Sequence, residues 1–152
     1  RSPAKPDPLA DFGEHQFKYS LYPHAGGWNE ETQREAYLLN DPIISYRSKV
    51  GNRRSERLIS NLQSLVACDS ANVIVETVKQ AEDGNGIVVR LYESQRKRNR
   101  VRVRFGFGVA AAWTANLLEE SESALSVEDD SVLLNLKPYQ VVTLRVKPRP
   151  SV

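Results

Sequence analysis

The alternation of apolar and polar residues predicts a chain built mainly of short β-strands. Between Val101 and Val109, apolar residues occupy every second position, with arginine or glycine between most of them, and this is the clearest period of two in the sequence. Similar but shorter runs predict further strands. These lie at residues 17–21, 43–46, 62–67, 72–80, 87–92, 131–136 and 139–146, and residues 110–120 are predicted as either a helix or an irregular strand.

One helix is predicted near the start, over residues 28–40. Asn29 can cap its N-terminus, Glu30 and Glu31 suit the first turn, and Asp41 followed by Pro42 ends it. Seven to nine short strands with this single helix, and no regular strand–helix alternation, predict an all-β antiparallel sandwich. The proline-rich residues 1–13 and the charged residues 47–58 are predicted as loops.

Length and composition limit the possibilities further. The chain has 152 residues, which corresponds to a single domain covering 1–152. No apolar run is long enough to span a membrane, and a net charge of +2 does not indicate a dedicated nucleic-acid binder. The only cysteine, Cys68, lies in an apolar run and is predicted to be a buried hydrophobe. One cysteine and no N-glycosylation acceptor favour a cytoplasmic setting. The sequence lacks methionine and opens abruptly at Arg1, which suggests a piece of a larger protein.

The basic run at residues 96–104 is the strongest local charge feature. It could be a phosphate-binding stripe. Arg102 and Arg104, however, fall on the outward face of an alternating strand, and residues 96–100 are predicted as a hairpin tip. Such charges can protect an exposed edge from pairing, and no aromatic residues at the tip offer a stacking platform. A solvated face is therefore the preferred interpretation.

No complete active site is evident from residue types and spacing. His15 and His24 lie near several acidic residues, but their spacing matches no compact two-histidine motif, so no metal site is predicted. A glycosidase needs two carboxyl groups that face each other across a cleft. Two of the four adjacent acidic pairs, Glu82-Asp83 and Asp129-Asp130, are predicted to be solvated turns, and adjacency in sequence does not indicate such a cleft for any of the four pairs. These pairs are Glu30-Glu31, Glu82-Asp83, Glu119-Glu120 and Asp129-Asp130.

Five segments taken together resemble a known family. Residues 1–15 (RSPAKPDPLADFGEH) resemble the loop "RSPxxPDPxADxGxH" of the α-mannosidases of glycoside hydrolase family 38, and residues 17–28 (FKYSLYPHAGGW) resemble the strand after it. Residues 72–93 are similar to a long hairpin of that family. Residues 114–120 (TANLLEE) and 136–144 (LKPYQVVTL) resemble its last two blocks. The segments occur in family order along nearly the whole chain.

The resemblance implies the C-terminal β-sandwich region of such an enzyme, of the galactose mutarotase-like type. The parent would hydrolyse α-mannosides with retention, assisted by zinc bound in a missing N-terminal catalytic domain that is followed by a helical segment. This chain would then contain no catalytic residue and no cofactor. Its partners would be those domains and, through them, the α-mannoside substrate, with oligomer formation possible and with neither nucleic acid nor membrane involved.

The opening loop supplies the candidate site residues. Arg1, Asp7, Asp11 and His15 are polar residues in a proline-restricted loop, and we expect them at the sugar cleft or the domain interface; the alternative is that Asp11 and His15 only stabilise their own loop. A second function remains open. The chain could be a free-standing carbohydrate-binding or protein-interaction sandwich that uses Trp28, Trp113 or tyrosines as stacking platforms, although core packing is the preferred role for these rings.

Overall fold

Two antiparallel sheets face each other in the computed structural model, which describes residues 13–45 and 64–150. The four-stranded sheet has the order β1-β4-β8-β7, and the five-stranded sheet has the order β2-β3-β9-β5-β6. The predicted all-β sandwich is confirmed. Its elements are α1 (Glu30–Asn40), β1 (Val66–Cys68), β2 (Val73–Gln80), β3 (Ile87–Glu93), β4 (Asn99–Phe105), β5 (Val109–Ala115), β6 (Ser121–Leu125), β7 (Val127–Glu128), β8 (Ser131–Leu136) and β9 (Val141–Pro148).

The core lies between the two sheets and is filled by alternate residues of the strands. Its members are mainly valine and leucine, which pack well on pleated surfaces. The four-stranded sheet contributes Val101, Val103, Phe105, Val132, Leu134 and Leu136, and the five-stranded sheet contributes Val73, Val89, Leu91, Val109, Ala112, Leu144 and Val146. The alternation that predicted the strands therefore also identified the inward residues of β4.

Helix α1 begins and ends where the sequence indicates. The Asn29 side chain accepts a hydrogen bond from the Thr32 N–H at 3.0 Å, and the Thr32 hydroxyl accepts from the Asn29 N–H at 3.4 Å. This reciprocal arrangement is a capping box. At the other end the Asp41 N–H bonds to the Tyr37 carbonyl at 2.7 Å. None of the helix residues is buried, so α1 lies on the outside of the sandwich.

Two expectations about the basic region are wrong. Residues 96–100 are not a hairpin tip, because residues 94–98 cross between β3 and β4, which belong to different sheets, and Asn99 and Arg100 already belong to β4. The alternating run 101–109 is also not one strand. It breaks at Gly106-Phe107-Gly108, where the chain crosses back, and Val109 begins β5 of the other sheet. Residues 110–115 then continue as strand rather than helix.

The predicted strand at residues 17–21 is absent, and so is strand structure at 43–45. Residues 14–24 adopt no regular structure and pair with no described strand. An alternating segment becomes a strand only when another strand supplies its hydrogen bonds, and periodicity alone does not reveal whether that partner exists. Tyr46, the loop at 47–58 and most of the opening loop lie outside the described residues.

Two tight turns match their sequence signals. Asp129 and Asp130 connect β7 to β8 with φ values of 48° and 53°, the left-handed conformation that a two-residue hairpin turn requires. Between β2 and β3, Gly86 has φ 111°, and a Cβ there would lie 2.7 Å from the Val146 carbonyl oxygen. Only glycine fits this position.

No helix in the described part of the chain is long and apolar enough to cross a bilayer.

Candidate functional site

The segment 13–29, here called the arm, exposes a row of large apolar side chains. Phe17, Tyr19 and Leu21 are 82%, 87% and 89% exposed. Ile43 and Ile44, just after helix α1, are 86% and 88% exposed. Isolated exposed hydrophobes are common on protein surfaces, but five nearly bare large side chains in two neighbouring segments are a candidate interaction surface.

The arm is held against the start of helix α1 by histidine. The His24 ring stacks on Tyr22 with centroids 5.4 Å apart, and its Nε2 lies 3.5 Å from the Thr32 hydroxyl. Thr32 is the residue whose backbone and side chain form the helix cap. His24 thus has a positioning role in the described structure, in keeping with a histidine that closes a loop.

His15 is the only candidate of the opening loop that the structure describes; Arg1, Asp7 and Asp11 lie outside the described residues. Its side chain is exposed and lines an open groove of about 800 Å³ between the arm and the end of helix α1. The arm contributes Gln16, Phe17 and Lys18 to this groove, and the helix end contributes Leu39, Asn40 and Pro42. His15 is thus placed on the same surface as the exposed apolar residues.

Helix α1 is attached to the outer face of β3 through Tyr92. The hydroxyl groups of Tyr37 and Tyr92 lie 2.8 Å apart, and Gln33 donates to the Tyr92 hydroxyl at 3.1 Å. The hydrogen bond to Tyr92, helped by burial, raises the pKa of Tyr37 to about 12. At the start of the helix, Glu30 forms an ion pair with Lys97 at 3.1 Å. These polar contacts position the arm relative to the sandwich.

Glu93 is a fully buried carboxylate that the sequence reading missed. Its Oε1 accepts from the Asn72 amide at 2.8 Å and from the Gln95 N–H at 2.7 Å, and its Oε2 accepts from the Tyr139 N–H at 2.9 Å. Burial alone would raise the pKa of Glu93, but these donors and the Lys97 N–H lower it to about 2. The sequence contained one signal of this burial. Glu93 follows Val89 and Leu91 at every second position of β3, so its side chain points to the same inward face.

A second polar network connects the β2–β3 turn with the loop after β5. Glu119, which is 6% exposed, accepts from the Glu82 N–H at 2.8 Å and pairs with Lys79 at 2.7 Å. Arg145 donates to the Glu119 carbonyl at 2.9 Å and pairs with Asp83. The hydrogen bond from Lys79 is the largest effect that lowers the pKa of Glu119. The lowered pKa favours the ionised carboxylate of Glu119 and does not suit the general acid of a glycosidase.

The remaining candidate groups offer little chemistry. Burial raises the pKa of Cys68 to about 11, so the thiol is protonated, and its side chain packs against the core as predicted. Trp28 is 56% exposed at the end of the arm, and Trp113 is half-buried. Within residues 13–45 and 64–150, no group of three or more histidine, cysteine, aspartate or glutamate side chains could hold a metal ion.

Comparison with known proteins gives a consistent assignment. Residues 72–144 match the model of the glycosyl hydrolases family 38 C-terminal beta sandwich domain. The chain is 31% identical over 150 residues to alpha-mannosidase 2C1 of Homo sapiens, covering 95% of this chain and 14% of that protein. It is 30% identical over 151 residues to alpha-mannosidase G of Dictyostelium discoideum, with 95% and 13% covered. Alpha-mannosidase of Saccharomyces cerevisiae is 24% identical over 169 residues, with 96% and 15% covered.

Proposed function

This chain resembles the C-terminal β-sandwich region of the family 38 α-mannosidases, and from that premise we propose that it is a non-catalytic domain of such an enzyme. It spans about 14% of the length of the curated relatives it matches. Most of the polypeptide of those relatives therefore lies outside the region that corresponds to this chain. In our proposal the domain supports a catalytic domain and helps to complete its sugar cleft.

The exposed arm is the observation that carries this proposal. Phe17, Tyr19 and Leu21 would cost about 1.5–3 kcal/mol each to leave in water rather than bury. A domain that packs against a neighbouring domain of the same polypeptide would bury such a surface. Arg1, Asp7, Asp11 and His15 belong to the same end of the chain, and we propose that they lie at the cleft or at the interface between the domains.

The state of the acidic groups supports a structural rather than a catalytic role. Glu93, Glu119 and Asp83 all have pKa values held below the ordinary range by hydrogen bonds that also join loops to the sheets. A general acid needs the opposite shift. We propose that hydrolysis of α-mannosides, with retention and with assistance from zinc, takes place in the separate catalytic domain. The zinc ligands would then belong to that catalytic domain and not to the chain described here. The cytoplasm stays the proposed compartment because the sequence has one cysteine and no N-glycosylation acceptor.

The test uses the enzyme that carries this chain. Replacing both Phe17 and Leu21 by serine should lower kcat/KM for an aryl α-mannoside by roughly tenfold or more, because a domain displaced by about 1 Å can cost that much at a cleft. The midpoint of thermal unfolding of the 152-residue chain alone should not change, since both side chains are already exposed.

Leu118→Ser is the matched control. Leu118 is 80% exposed, like the two arm residues, but lies in the loop after β5. Its replacement should leave kcat/KM unchanged. Unaltered kinetics in the arm variant would contradict the proposed interface, and hydrolysis of the mannoside by the 152-residue chain alone would contradict the non-catalytic role.

A second candidate function is favoured by one observation, the exposure of Trp28. In a free-standing carbohydrate-binding module this ring would stack on a sugar face. Titration of the chain with mannosides separates the two candidates: binding in the low micromolar range, lost in Trp28→Ala, supports the module. The absence of binding together with the arm phenotype supports the enzyme domain.

A further inference from the structure

The outer face of the four-stranded sheet carries a row of arginines on β4. Val101 and Val103 of that strand are fully buried in the core, so the residues that alternate with them, Arg100, Arg102 and Arg104, point outward. Successive members of the row are roughly 6.6 Å apart along the strand. Like charges at that spacing repel one another weakly in water, so an anionic neighbour stabilises the row. Arg102 already has polar neighbours, because its N–H donates to Asp69 Oδ1 at 2.8 Å and its Nη1 donates to the Ser131 hydroxyl at 3.1 Å.

Edge protection does not explain this row. β4 has β1 on one side and β8 on the other, so it is an interior strand with no free edge to guard. Arg100 and Arg104 are exposed and form no ion pair with any residue in the described ranges. Four other cations of the described chain do form ion pairs. These are Lys79, Lys97, Arg145 and Arg149.

The same face also carries acidic groups, at the edge of the sheet formed by β7. Arg104 pairs in register with Ser131 of β8, which pairs with Glu128 of β7. With strands about 4.8 Å apart, β4 and β7 are therefore separated by roughly 10 Å across the face. Glu128 and the adjoining Asp129 are exposed and form no ion pair within the described residues. Between the two rows, β8 presents the neutral Leu133 and Asn135, and Leu133 is 37% exposed.

We propose that this face binds a second copy of the chain around a two-fold axis that runs parallel to the strands above β8. A half-turn about that axis places β4 of each copy over β7 of the other, because the two strands lie symmetrically on either side of β8. Arg104 of one copy then faces Glu128 of the other at the same level along the strands. Leu133 meets its own counterpart at the axis. Two-fold dimers with self-complementary faces are the commonest protein oligomers.

A second copy fits this face better than a nucleic acid does. Every outward cation of β4 is arginine, whose planar guanidinium suits carboxylates and phosphates alike, so the neighbouring residues decide between the two partners. The residues beside the row are Ala67, Asp69, the buried Ser131, Leu133 and Asn135, none of which can stack on a base. The acidic group that Arg104 needs for pairing, Glu128, is already present on the same face. This proposal does not depend on the enzyme assignment.

Sedimentation equilibrium of the 152-residue chain tests the proposal. The paired strands form a face of only about 15 by 20 Å, so the dimer is expected to be weak and sensitive to salt. At low ionic strength and about 0.5 mM chain, the weight-average mass should rise above 17.1 kDa toward twice that value, and it should return to 17.1 kDa in about 0.5 M salt. R104E and E128R should each remain monomeric.

Mixing the two variants is the decisive measurement. The R104E variant has a glutamate at both positions 104 and 128, and the E128R variant has an arginine at both. In a mixed dimer each of the two contacts therefore pairs a glutamate with an arginine, so an equimolar mixture should dimerise again. Lys147→Glu is the matched control, because it makes the same charge change on an exposed residue of the other sheet and should dimerise like the parent chain. Unchanged melting temperatures would show that all variants fold, since the altered side chains are exposed.

Three results would overturn the proposal. One is a monomer for the parent chain at low salt and high concentration. Another is a failure of the R104E and E128R mixture to associate. The third is stoichiometric binding of a short RNA or of polyphosphate that R104E abolishes, which would assign the arginine row to a polyanion instead of a second copy.

Discussion

The side-chain amide of Asn72 donates to Oε1 of Glu93 at 2.8 Å, and this contact lies at the point where three connections of the sandwich meet. Asn72 immediately precedes β2, Glu93 ends β3, and Tyr139, in the loop before β9, donates its N–H to the second carboxylate oxygen. No cation among residues 13–45 and 64–150 forms an ion pair with this carboxylate. Its charge is stabilised by N–H donors, which is a charge-assisted arrangement that requires the ionised form.

Replacing Glu93 by glutamine should destabilise the chain by about 3 kcal/mol. The amide has nearly the same shape, but its NH₂ group would face an N–H donor where an oxygen now accepts. Chemical denaturation followed by circular dichroism measures the free energy of unfolding. Glu122→Gln makes the same chemical change on an exposed strand residue and should alter that free energy by less than about 0.5 kcal/mol. A small effect at Glu93 would contradict the role assigned to its hydrogen bonds.

The same carboxylate predicts a pH dependence of stability. The pKa of Glu93 is lowered from 4.5 to about 2 in the folded chain. A depressed folded pKa stabilises the fold above the unfolded value, and that contribution is lost as pH falls from about 4.5 toward 2. The free-energy difference between the parent chain and Glu93→Gln should therefore be largest above pH 5 and shrink in this window. A difference that stays constant down to pH 2.5 would exclude this explanation.

The sequence predicted the sandwich because its signals are local. Valine at every second position of β4 identifies the inward face, and Asp129-Asp130 identifies a turn, whichever strands become neighbours. The pairing of strands is not a local property. The alternation of Val101 to Val109 therefore could not reveal that the chain changes sheets at residues 106–108, nor that β4 is an interior strand.

The site residues show the same limit. The placement of His15 at a cleft or interface stays a prediction that rests on the resemblance of the opening loop, whereas the sequence does not single out Glu93 and marks Glu119 only as part of an adjacent acidic pair. Their burial depends on donors more than 20 residues away, such as Tyr139 and Lys79. The alternating arm also misled the prediction, because exposed Phe17 and Leu21 have the spacing of a half-buried strand without a partner strand in the described structure.

Tyr92 should control how firmly helix α1 is held on the sandwich. Tyr92→Phe removes the hydroxyl that contacts both Tyr37 and Gln33, at a cost of about 1 kcal/mol. Amide exchange over residues 30–40 should then be roughly five times faster, while exchange in β3 and β9 changes little, because local opening of the helix requires no unfolding of the core. The pKa of Tyr37, now raised to about 12, should fall toward 10 in an ultraviolet titration. Tyr139→Phe, at an exposed ring, should leave both measurements unchanged.

Gly86 should tolerate no side chain. Gly86→Ala places a methyl group 2.7 Å from the Val146 carbonyl oxygen at a φ of 111°, so both the close contact and the backbone conformation oppose it. We expect a loss of about 3 kcal/mol in the free energy of unfolding. Gly27→Ala is the matched control, because a Cβ there meets nothing within 4 Å and its φ lies outside the left-handed range. That variant should change stability by less than about 0.5 kcal/mol in the same denaturation experiment. Equal effects at the two glycines would show that the β2–β3 turn does not pack against β9 as closely as Val146 indicates.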